Sequence, residues 1–234
     1  MSALPPVLTI DGPSGSGKGT VSRLVAARLG WHLLDSGALY RILALAAGEA
    51  GVGADAPARL ETLARSLKVE FGQSPAGEER ILLAGRDVTR EVRSETAGEQ
   101  ASRLAVIPEV RMGLRDLQRS FHRQPGLVAD GRDMGTVIFP GAGLKVFLTA
   151  SVEERAQRRY NQLKEQGLAA NLDALFHDIS TRDARDQNRA VSPLQPAADA
   201  VGLDTTGTGI QQVVARILEL ARERFGATPG ASQT

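Results

Sequence analysis

The chain has no cysteine, only three histidines among 234 residues, and no uninterrupted apolar run of membrane-spanning length. Without cysteine it can form neither a disulfide nor a thiolate metal site, which suits a reducing compartment. No segment has the basic stretch and following apolar stretch of a secretory signal, and none is long enough to cross a bilayer. We therefore expect a cytoplasmic protein that has no membrane partner.

An excess of charge of one sign is also lacking, because 28 Lys and Arg residues oppose 27 Asp and Glu residues for a net charge of +1. This balance gives no overall attraction to nucleic acid, so arginine clusters must be judged by their position. The histidines His32, His122 and His177 are isolated, and we expect them to be structural or at the surface. With 42% apolar and 24% charged residues the chain is typical of a globular protein, which we expect to be a monomer.

A glycine-rich segment follows the first apolar strand, which is predicted at residues 7–10. The segment reads Gly12, Pro13, Ser14, Gly15, Ser16, Gly17, Lys18, Gly19 and Thr20. Glycine permits unusual dihedral angles and lets backbone N–H groups approach phosphate oxygens, while Lys18 adds a positive charge at the β- and γ-phosphates. The helix predicted to start there points its positive end at the same anion. The spacing and its strand–loop–helix context indicate a phosphate-binding loop for a nucleoside triphosphate such as ATP.

Two other interpretations of this loop compete with that one. It could be an ordinary flexible Gly/Ser turn, or a dinucleotide-binding turn with Asp35 as the acidic residue about twenty positions on. A dinucleotide fingerprint that begins at Gly15 would need glycine at position 20, where Thr20 stands. One departure from the phosphate-loop pattern is Gly19, which occupies the place of the Ser or Thr that binds magnesium. We therefore expect no protein metal site, and Mg²⁺ held by phosphates and water.

Short apolar strands alternate with longer helical stretches, which predicts an α/β fold with a parallel sheet covered on both faces. The predicted strands are residues 7–10, 32–35, 126–130, 144–148 and 200–204. The predicted helices are residues 18–29, 37–49, 108–123, 152–166, 172–190 and 209–225. Ligands of such sheets bind at the carboxyl ends of the strands, where the loop, Asp35 and Asp130 are expected.

The alternation of strands and helices is interrupted between residues 67 and 88. There, residues 68–71 and 80–83 predict an antiparallel hairpin with a turn at 73–79. We interpret residues 1–227 as a single domain with its core at about 1–35, 106–150 and 190–227. Residues 36–105 would form a region with an α+β insertion and residues 151–189 a lid. We expect the tail at 228–234 to be disordered.

Arginines and polar groups concentrate after these strands. Arg182, Arg185, Asp186 and Arg189 fall within about 100° of one helix, and Arg155, Arg158 and Arg159 share a face of the helix before it. Two such faces joined by a short turn could close over a triphosphate. The alternative is solvated ion pairs with Glu153, Glu154, Asp178 and Asp183. Arginine outnumbers lysine in the stripes, and guanidinium groups bind phosphate oxygens in pairs, which favours an anion site.

The chain resembles the bacterial cytidylate kinases, within the nucleoside monophosphate kinases. The resemblance is carried by residues 10–20, by Asp35-Ser36-Gly37 with Tyr40-Arg41, by residues 129–137 and by residues 186–190. It covers the chain to about Phe225. It implies a phosphate-loop (P-loop NTPase-type) fold with a five-stranded parallel sheet flanked by helices, a monophosphate-binding insertion subdomain and a short helical lid. The implied reaction transfers the ATP γ-phosphoryl group to CMP or dCMP.

The resemblance also implies roles for individual residues. Gly12 to Thr20 would bind ATP with Lys18 bridging its phosphates, and Arg155 and Arg159 would be lid residues. Arg41, Arg132 and Arg189 would hold the acceptor phosphate. Ser102, Arg111 and Asp133 would contact cytosine, Ser36 and Tyr40 would line that pocket, and Arg182 and Asp186 would contact the pentose. Asp130 is placed among the substrate-binding residues, and Lys18, Arg132, Arg182 and Arg189 among the catalytic ones.

Two rival functions remain open from the residues alone. A kinase for another acceptor, such as AMP, UMP or a small metabolite, would differ in the residues that read the base. A nucleotide-dependent switch is suggested by Leu127-Val128-Ala129-Asp130, which resembles the second acidic motif of hydrolases. The switch leaves the acceptor-side arginines unexplained, and a guanine-specific Asn-Lys-x-Asp motif is absent from the sequence.

Overall fold

The computed structural model describes residues 4–73, 79–165, 167, 169–189 and 191–226. The chain divides into two compact units: the described parts of Met1–Leu34 and Phe121–Thr234 form the first, and those of Asp35–Ser120 form the second. None of the helices in these described ranges combines the length and apolar character needed to cross a membrane. The predicted turn at 73–79 and the predicted tail fall largely or wholly outside the described residues.

The strands and helices of the described residues follow the predicted alternation. The strands are β1 (Val7–Asp11), β2 (His32–Asp35), β3 (Val69–Gln73), β4 (Glu79–Leu83), β5 (Arg86–Asp87), β6 (Leu127–Gly131), β7 (Leu144–Thr149) and β8 (Val201–Asp204). The α-helices are α1 (Lys18–Leu29), α2 (Ser36–Glu49), α3 (Pro57–Ser66), α4 (Thr89–Val92), α5 (Glu95–Leu104), α6 (Pro108–Ser120), α7 (Val152–Glu165), α8 (Leu172–Gln187) and α9 (Ile210–Phe225). A π-helical turn, which the sequence analysis did not predict, spans Met134–Ile138.

The first unit is built on a five-stranded sheet in the order β2-β6-β1-β7-β8. Strand β1 lies at its centre, is buried along its whole length, and pairs in parallel with β6 and β7. Such strands read as continuous apolar runs because helices cover both faces. Side chains of α1 and α9 pack with the sheet in one core that includes Ile10, Val25 and Ile217. This confirms the predicted parallel α/β fold and brings the residues after β1 and β6 to one edge.

The second unit combines helices with a small antiparallel sheet in the order β3-β4-β5. Phe71 on β3 lies opposite Ile81 on β4, which is fully buried. The hairpin predicted from the alternating residues is therefore present. Helix α6 belongs to this unit, whereas the sequence analysis assigned residues 106–120 to the core. The reason is its packing on α3, where Gly113 brings the α6 backbone close to Ala64.

Two predicted helix ends lie three residues beyond the ends in the structure. Helix α8 ends at Gln187, so Arg189 lies beyond it, and the predicted last residue, Ala190, lies outside the described residues. The backbone and side-chain amides of Asn188 both donate to the carbonyl of Ala184, at 3.0 and 2.8 Å, which caps the helix there. Helix α6 ends at Ser120 rather than at residue 123, and the Ser120 hydroxyl donates to the carbonyl of Leu117 at 2.7 Å. A serine that bonds its own helix backbone in this way favours a helix end.

We predict that Gly113→Ala lowers the free energy of unfolding by about 1–3 kcal/mol, although alanine is the better helix former. A Cβ at position 113 would lie 2.8 Å from both the Ala64 Cβ and the Glu61 carbonyl oxygen, and backbone cannot move aside cheaply. Urea denaturation of the variant and the parent measures the effect. An unchanged or raised free energy of unfolding would contradict the close α3–α6 contact.

Candidate active site

The glycine-rich loop between β1 and α1 has a backbone that requires glycine, as Gly12 and Gly17 illustrate. At Gly12 φ is +154°, and an added Cβ would lie 2.2 Å from the carbonyl oxygen of Leu148. Gly17 caps α1 in the left-handed conformation at φ 86°, and no side chain caps the first turn of that helix. The first N–H groups of α1 are therefore left to be satisfied from outside the helix, as at an anion-binding helix start.

Gly19 has a different reason to be glycine from the one that the sequence analysis gave. It lies within α1 and has no positive φ, but its Cβ position is 3.3 Å from Oδ2 of Asp130. The small residue therefore admits the buried carboxylate at the end of β6 beside the loop. Lys18 donates to the carbonyl of Pro13 at 3.2 Å, which folds its side chain back over the loop. Oγ of Ser16 is buried and finds no hydrogen-bond partner among the described residues.

Arg155 fixes the loop from α7. Its guanidinium donates to the carbonyl of Ser14 at 3.0 Å and forms a double contact with the Asp183 carboxylate at 3.1 and 2.5 Å. Its Nε also donates to the carbonyl of Ala150 at 3.0 Å, and only 3% of the side chain is exposed. Arg155 therefore pairs with Asp183, one of the four acids of the ion-pair alternative, but in a buried rather than a solvated contact. A paired, buried guanidinium of this kind orders the loop before any ligand arrives.

Thr205, directly after β8, joins three segments around the loop. Its hydroxyl lies 3.2 Å from the Ser16 carbonyl and 3.0 Å from the Thr149 carbonyl, and it accepts from Arg158 at 3.1 Å. Arg158 also donates to the Thr205 carbonyl at 2.5 Å and pairs with Glu154 at 3.0 Å. A cavity of about 340 Å³ opens beside these groups and is lined by Gly17, Val21 and Ile210 among others.

A second polar cluster in the first unit surrounds one carboxylate. Asp186 is fully buried and forms ion pairs with Arg132 and Arg189. Burial would raise the pKa of Asp186, but Arg132, Arg189 and Arg182 outweigh it and hold the pKa below its ordinary value. Burial would lower the pKa of Arg132, but Asp186, Asp130 and Asp183 outweigh it and hold the pKa above its ordinary value. Paired guanidinium groups of this kind are held in fixed positions, and their geometry matches that of phosphate oxygens.

Asp11, at the end of β1, orders the segment that carries Asp133. Its two carboxylate oxygens accept from the backbone N–H groups of Met134 and Gly135, at 2.9 and 2.8 Å. Burial raises the pKa of Asp11 to about 6, against the lowering effect of those two hydrogen bonds. Asp133 itself is buried next to this turn. The carboxylate therefore fixes the backbone conformation just after β6.

The remaining predicted substrate residues lie in the second unit. The guanidinium of Arg111 lies 6.0 Å from the ring centroid of Tyr40, within the range of a cation–π contact, and donates to the carbonyl of Ala105 at 3.2 Å. Ser36 and Ser102 are buried. Nη1 of Arg41 donates to the carbonyls of Val92 and Ser94, at 3.0 and 2.8 Å. The aromatic and cationic groups predicted to meet a base are thus paired with each other.

Other predicted residues take structural contacts. Asp35 caps α2 by accepting from the N–H of Ala38 at 2.9 Å and pairs with Arg93 at 2.9 Å. Arg159 bonds Gln162 at 2.7 Å, so the three arginines of α7 have separate partners. His32 and His122 lie 2.7 and 2.8 Å from the carbonyl oxygens of Gln124 and Pro5, in agreement with structural roles.

A metal ion finds few protein ligands here. Across the ranges that the structure describes, no three His, Cys, Asp or Glu residues come together in a way that could hold one. Asp130 is the carboxylate that borders the phosphate loop, next to Gly19. Magnesium keeps several waters and binds through one or two carboxylates together with substrate phosphates. The donor set therefore fits an ion that arrives with the nucleotide.

The parallel sheet, the loop after its central strand and the arginine cluster define a nucleotide kinase of the phosphate-loop class. A family model described as cytidylate kinase matches residues 8–223. The cytidylate kinase of Marinomonas sp. (strain MWYL1) is 58% identical over 212 residues, 91% of this chain and 93% of that protein. That of Aeromonas hydrophila subsp. hydrophila is 52% identical over 226 residues, 97% of this chain and 98% of that protein. The chain belongs to the cytidylate kinase family.

A solved structure supports the fold alone. An uncharacterized protein from Eubacterium ventriosum ATCC 27560 superposes with a TM-score of 0.51 at 8% identity, over 94% of this chain and 99% of that one. Identity this low says nothing about activity. The fold expected from the alternation of strands and helices is nevertheless confirmed by the sheet order.

Three residues with contacts at the site were missed by the sequence analysis: Asp11, Thr205 and Asp183. Asp11 lies inside the segment that carried the family resemblance, and a carboxylate at the end of a mainly apolar strand was a usable signal. Thr205 follows Asp204 at the end of a predicted strand, which placed it on the ligand-binding edge. Asp183 had been considered only as a surface partner for arginine. Its pairing with the buried Arg155 depends on how α7 packs on α8.

We predict that the stability cost of Asp11→Asn depends on pH. A folded pKa of about 6, against 3.8 in the unfolded chain, means that the parent loses free energy of unfolding as the pH rises from about 4 to 6. The asparagine variant lacks this titration. Its deficit relative to the parent should therefore be larger at pH 4 than at pH 7, by about 2 kcal/mol. Urea unfolding at both pH values measures it, and a deficit independent of pH would refute the assignment.

Proposed function

We propose that this protein transfers the γ-phosphoryl group of ATP to CMP or dCMP, yielding ADP and CDP or dCDP for pyrimidine nucleotide metabolism. The observation that carries the proposal is the cluster of Arg132, Arg182 and Arg189 around the buried Asp186, on the same unit as the phosphate loop. Membership of the cytidylate kinase family supports the choice of acceptor. A phosphate loop alone accounts for a donor, whereas the arginine cluster accounts for a second anion.

The donor ATP binds the loop of the first unit. Residues 12–20 surround its phosphates with backbone N–H groups, and Lys18 moves its charge from the Pro13 carbonyl to the β- and γ-phosphates. The cavity beside Thr205 and Arg158 receives the base, because a guanidinium face and apolar side chains suit a flat aromatic ring. Arg155 supports the loop, and Arg155 and Arg159 are the lid residues that we assign to ATP binding.

We assign the acceptor contacts by role. Arg41, Arg132 and Arg189 bind the acceptor phosphate, and Arg182 and Asp186 contact the pentose. Ser102 and Arg111 contact cytosine, Asp133 accepts from its exocyclic amine, and Ser36 and Tyr40 line its pocket. Asp130 lies at the end of β6, and in the sequence it comes after the phosphate loop and shortly before Arg132. The Asp186 ion pairs hold Arg132 and Arg189 in place for the phosphate.

The chemistry needs positioning and positive charge rather than a general base. An ionised oxygen of the CMP phosphate attacks the γ-phosphorus of ATP, and the bond to the bridging oxygen of ADP breaks. No proton has to be removed, since the acceptor is already anionic near neutral pH. Lys18, Arg132, Arg182 and Arg189 stabilise the charge on the transferred group. Asp130 would hold Mg²⁺ together with the nucleotide phosphates, and the ion would supply positive charge that neutralises them. Lid closure excludes competing water.

The protein acts on free nucleotides, as a monomer in the cytoplasm, without a nucleic-acid or membrane partner. This part of the proposal is supported by the near-zero net charge and the absence of cysteine from the sequence.

An acceptor panel tests the proposed reaction. ADP production is followed by a coupled assay with ATP and each of CMP, dCMP, UMP, AMP and GMP, and with no acceptor. We expect turnover with CMP and dCMP well above the others, little turnover without an acceptor, and none in Lys18→Ala. Preference for AMP or a purine would replace the acceptor assignment. Equal turnover with and without an acceptor would favour a hydrolytic switch.

We predict that Asp133→Ala loses discrimination between CMP and UMP, by about 1–3 kcal/mol in the ratio of kcat/KM values. The carboxylate accepts from the amine of cytosine but faces a carbonyl in uracil, so its removal should mainly lower activity with CMP. Steady-state kinetics with both nucleotides give the ratio. Should the preference for CMP survive unchanged, another residue reads the base.

We predict that Thr205→Val raises KM for ATP about five- to tenfold while Thr205→Ser stays within about twofold of the parent. Valine keeps the shape of threonine but removes the hydroxyl that contacts the Ser16 carbonyl and accepts from Arg158. Steady-state kinetics with saturating CMP test this. Equal KM values for both variants would show that the hydroxyl does not support the donor site.

A further inference from the structure

Gly98 lies within α5, at a buried position where the helical backbone does not require glycine. Its backbone is helical and the residue is buried, and glycine in a helix interior costs up to about 1 kcal/mol relative to alanine. What occupies the missing side chain's place is the guanidinium of Arg41. A Cβ at position 98 would lie 2.8 Å from Nη2, 3.1 Å from Cζ and 3.2 Å from Nη1 of that arginine.

The same guanidinium is held on the carbonyls at the junction of α4 and α5. Nη1 donates to the carbonyl of Val92, the last residue of α4, at 3.0 Å, and to that of Ser94, the N-cap of α5, at 2.8 Å. Both contacts require the guanidinium to lie close against the first turn of α5. Gly98, one turn further along, sits directly beneath it.

The junction that supplies these carbonyls is itself ordered. Ser94 Oγ accepts from the N–H of Ala97 at 3.2 Å and donates to the carbonyl of Glu91 at 2.7 Å, which fixes the start of α5. Arg93, between the two carbonyls that receive Arg41, pairs with Asp35 at 2.9 Å. Since Asp35 also caps the helix that carries Arg41, both sides of the contact are tied to one residue.

We infer that Gly98 is a positioning residue for substrate binding: its lack of a side chain lets the Arg41 guanidinium lie flat on α5, in the orientation that receives the acceptor phosphate. The inference rests on the proposed function, in which Arg41 binds that phosphate. It deepens that function by assigning a role to a residue that would touch no substrate. Glycine at position 98 lowers the stability of α5, and in return it allows the fixed orientation of the Arg41 guanidinium.

An added methyl group would move the end of a flexible side chain and not the backbone. Gly98→Ala therefore displaces the guanidinium from the Val92 and Ser94 carbonyls while leaving α5 intact, with a gain in helix propensity. A shift of about 1 Å at a positioning group can cost up to about a hundredfold in rate. We expect KM for CMP to rise about tenfold, KM for ATP to stay within about twofold, and the free energy of unfolding not to fall.

Gly48→Ala is the matched control. Gly48 lies in the last turn of α2, is exposed, and has nothing within 4 Å of its Cβ position. The substitution makes the same chemical change in a helix without meeting Arg41. We expect parental KM values for both substrates, and an altered KM for CMP in this variant would show that glycine replacement acts through the helices alone.

A double-mutant cycle with Arg41→Ala decides the mechanism. If Gly98 acts through Arg41, then Arg41→Ala raises KM for CMP and adding Gly98→Ala raises it no further. Additive effects, or a parental KM in Gly98→Ala beside a raised KM in Arg41→Ala, would overturn the inference and leave the proposed function standing. A parental KM for CMP in Arg41→Ala would remove Arg41 from the acceptor site and the inference with it. Failure of the reaction itself appears separately, as a parent enzyme inactive with CMP in the acceptor panel.

Discussion

The site depends on one buried cluster of arginines and carboxylates. Asp186 is buried among Arg132, Arg189 and Arg182, and Asp130 and Asp183 also act on Arg132. Removing charges from water is expensive, and each ion pair recovers part of that cost by holding the arginine in a fixed place. The cluster therefore holds its guanidinium groups in fixed positions, which suits a site that must accept and release phosphate at every turnover.

Segments that are distant in the sequence also hold the phosphate loop in place. Its glycines allow the backbone to pass within contact distance of β7, but they also make the loop easy to deform. Arg155 and Thr205 offset this by binding the carbonyls of Ser14 and Ser16 from α7 and from the residue after β8. Because Arg155 and Thr205 bind these carbonyl groups, the N–H groups of the loop are left to bind the ligand. Rigid presentation of N–H groups lowers the entropy lost when a polyphosphate binds.

Much of this architecture could be predicted from the sequence, because local patterns determine it. The apolar runs at residues 7–10 and 126–130 have the character of central strands, and the glycine spacing before Lys18 admits few alternatives. Contacts between distant segments could not be predicted in this way. Whether Arg155 faces solvent or Asp183 depends on the packing of α7 on α8, and helical spacing alone left both open. The sequence analysis placed Arg189 inside α8, but Asn188 caps that helix with its own side chain. The spacing of charged residues along the chain does not show such a cap. Helix α6 groups with the second unit for a related reason, since its Gly113 contact with α3 becomes visible only in three dimensions.

The bond from Arg155 to Ser14 joins residues that are 141 positions apart in the chain. The conformation of the glycine-rich motif therefore depends on a residue outside the motif. Transplanting it into another protein without a matching guanidinium from the helix after the fourth parallel strand would leave one of its carbonyls unanchored. Attempts to graft nucleotide binding onto a new scaffold should for this reason transfer the distant arginine and its aspartate together with the loop.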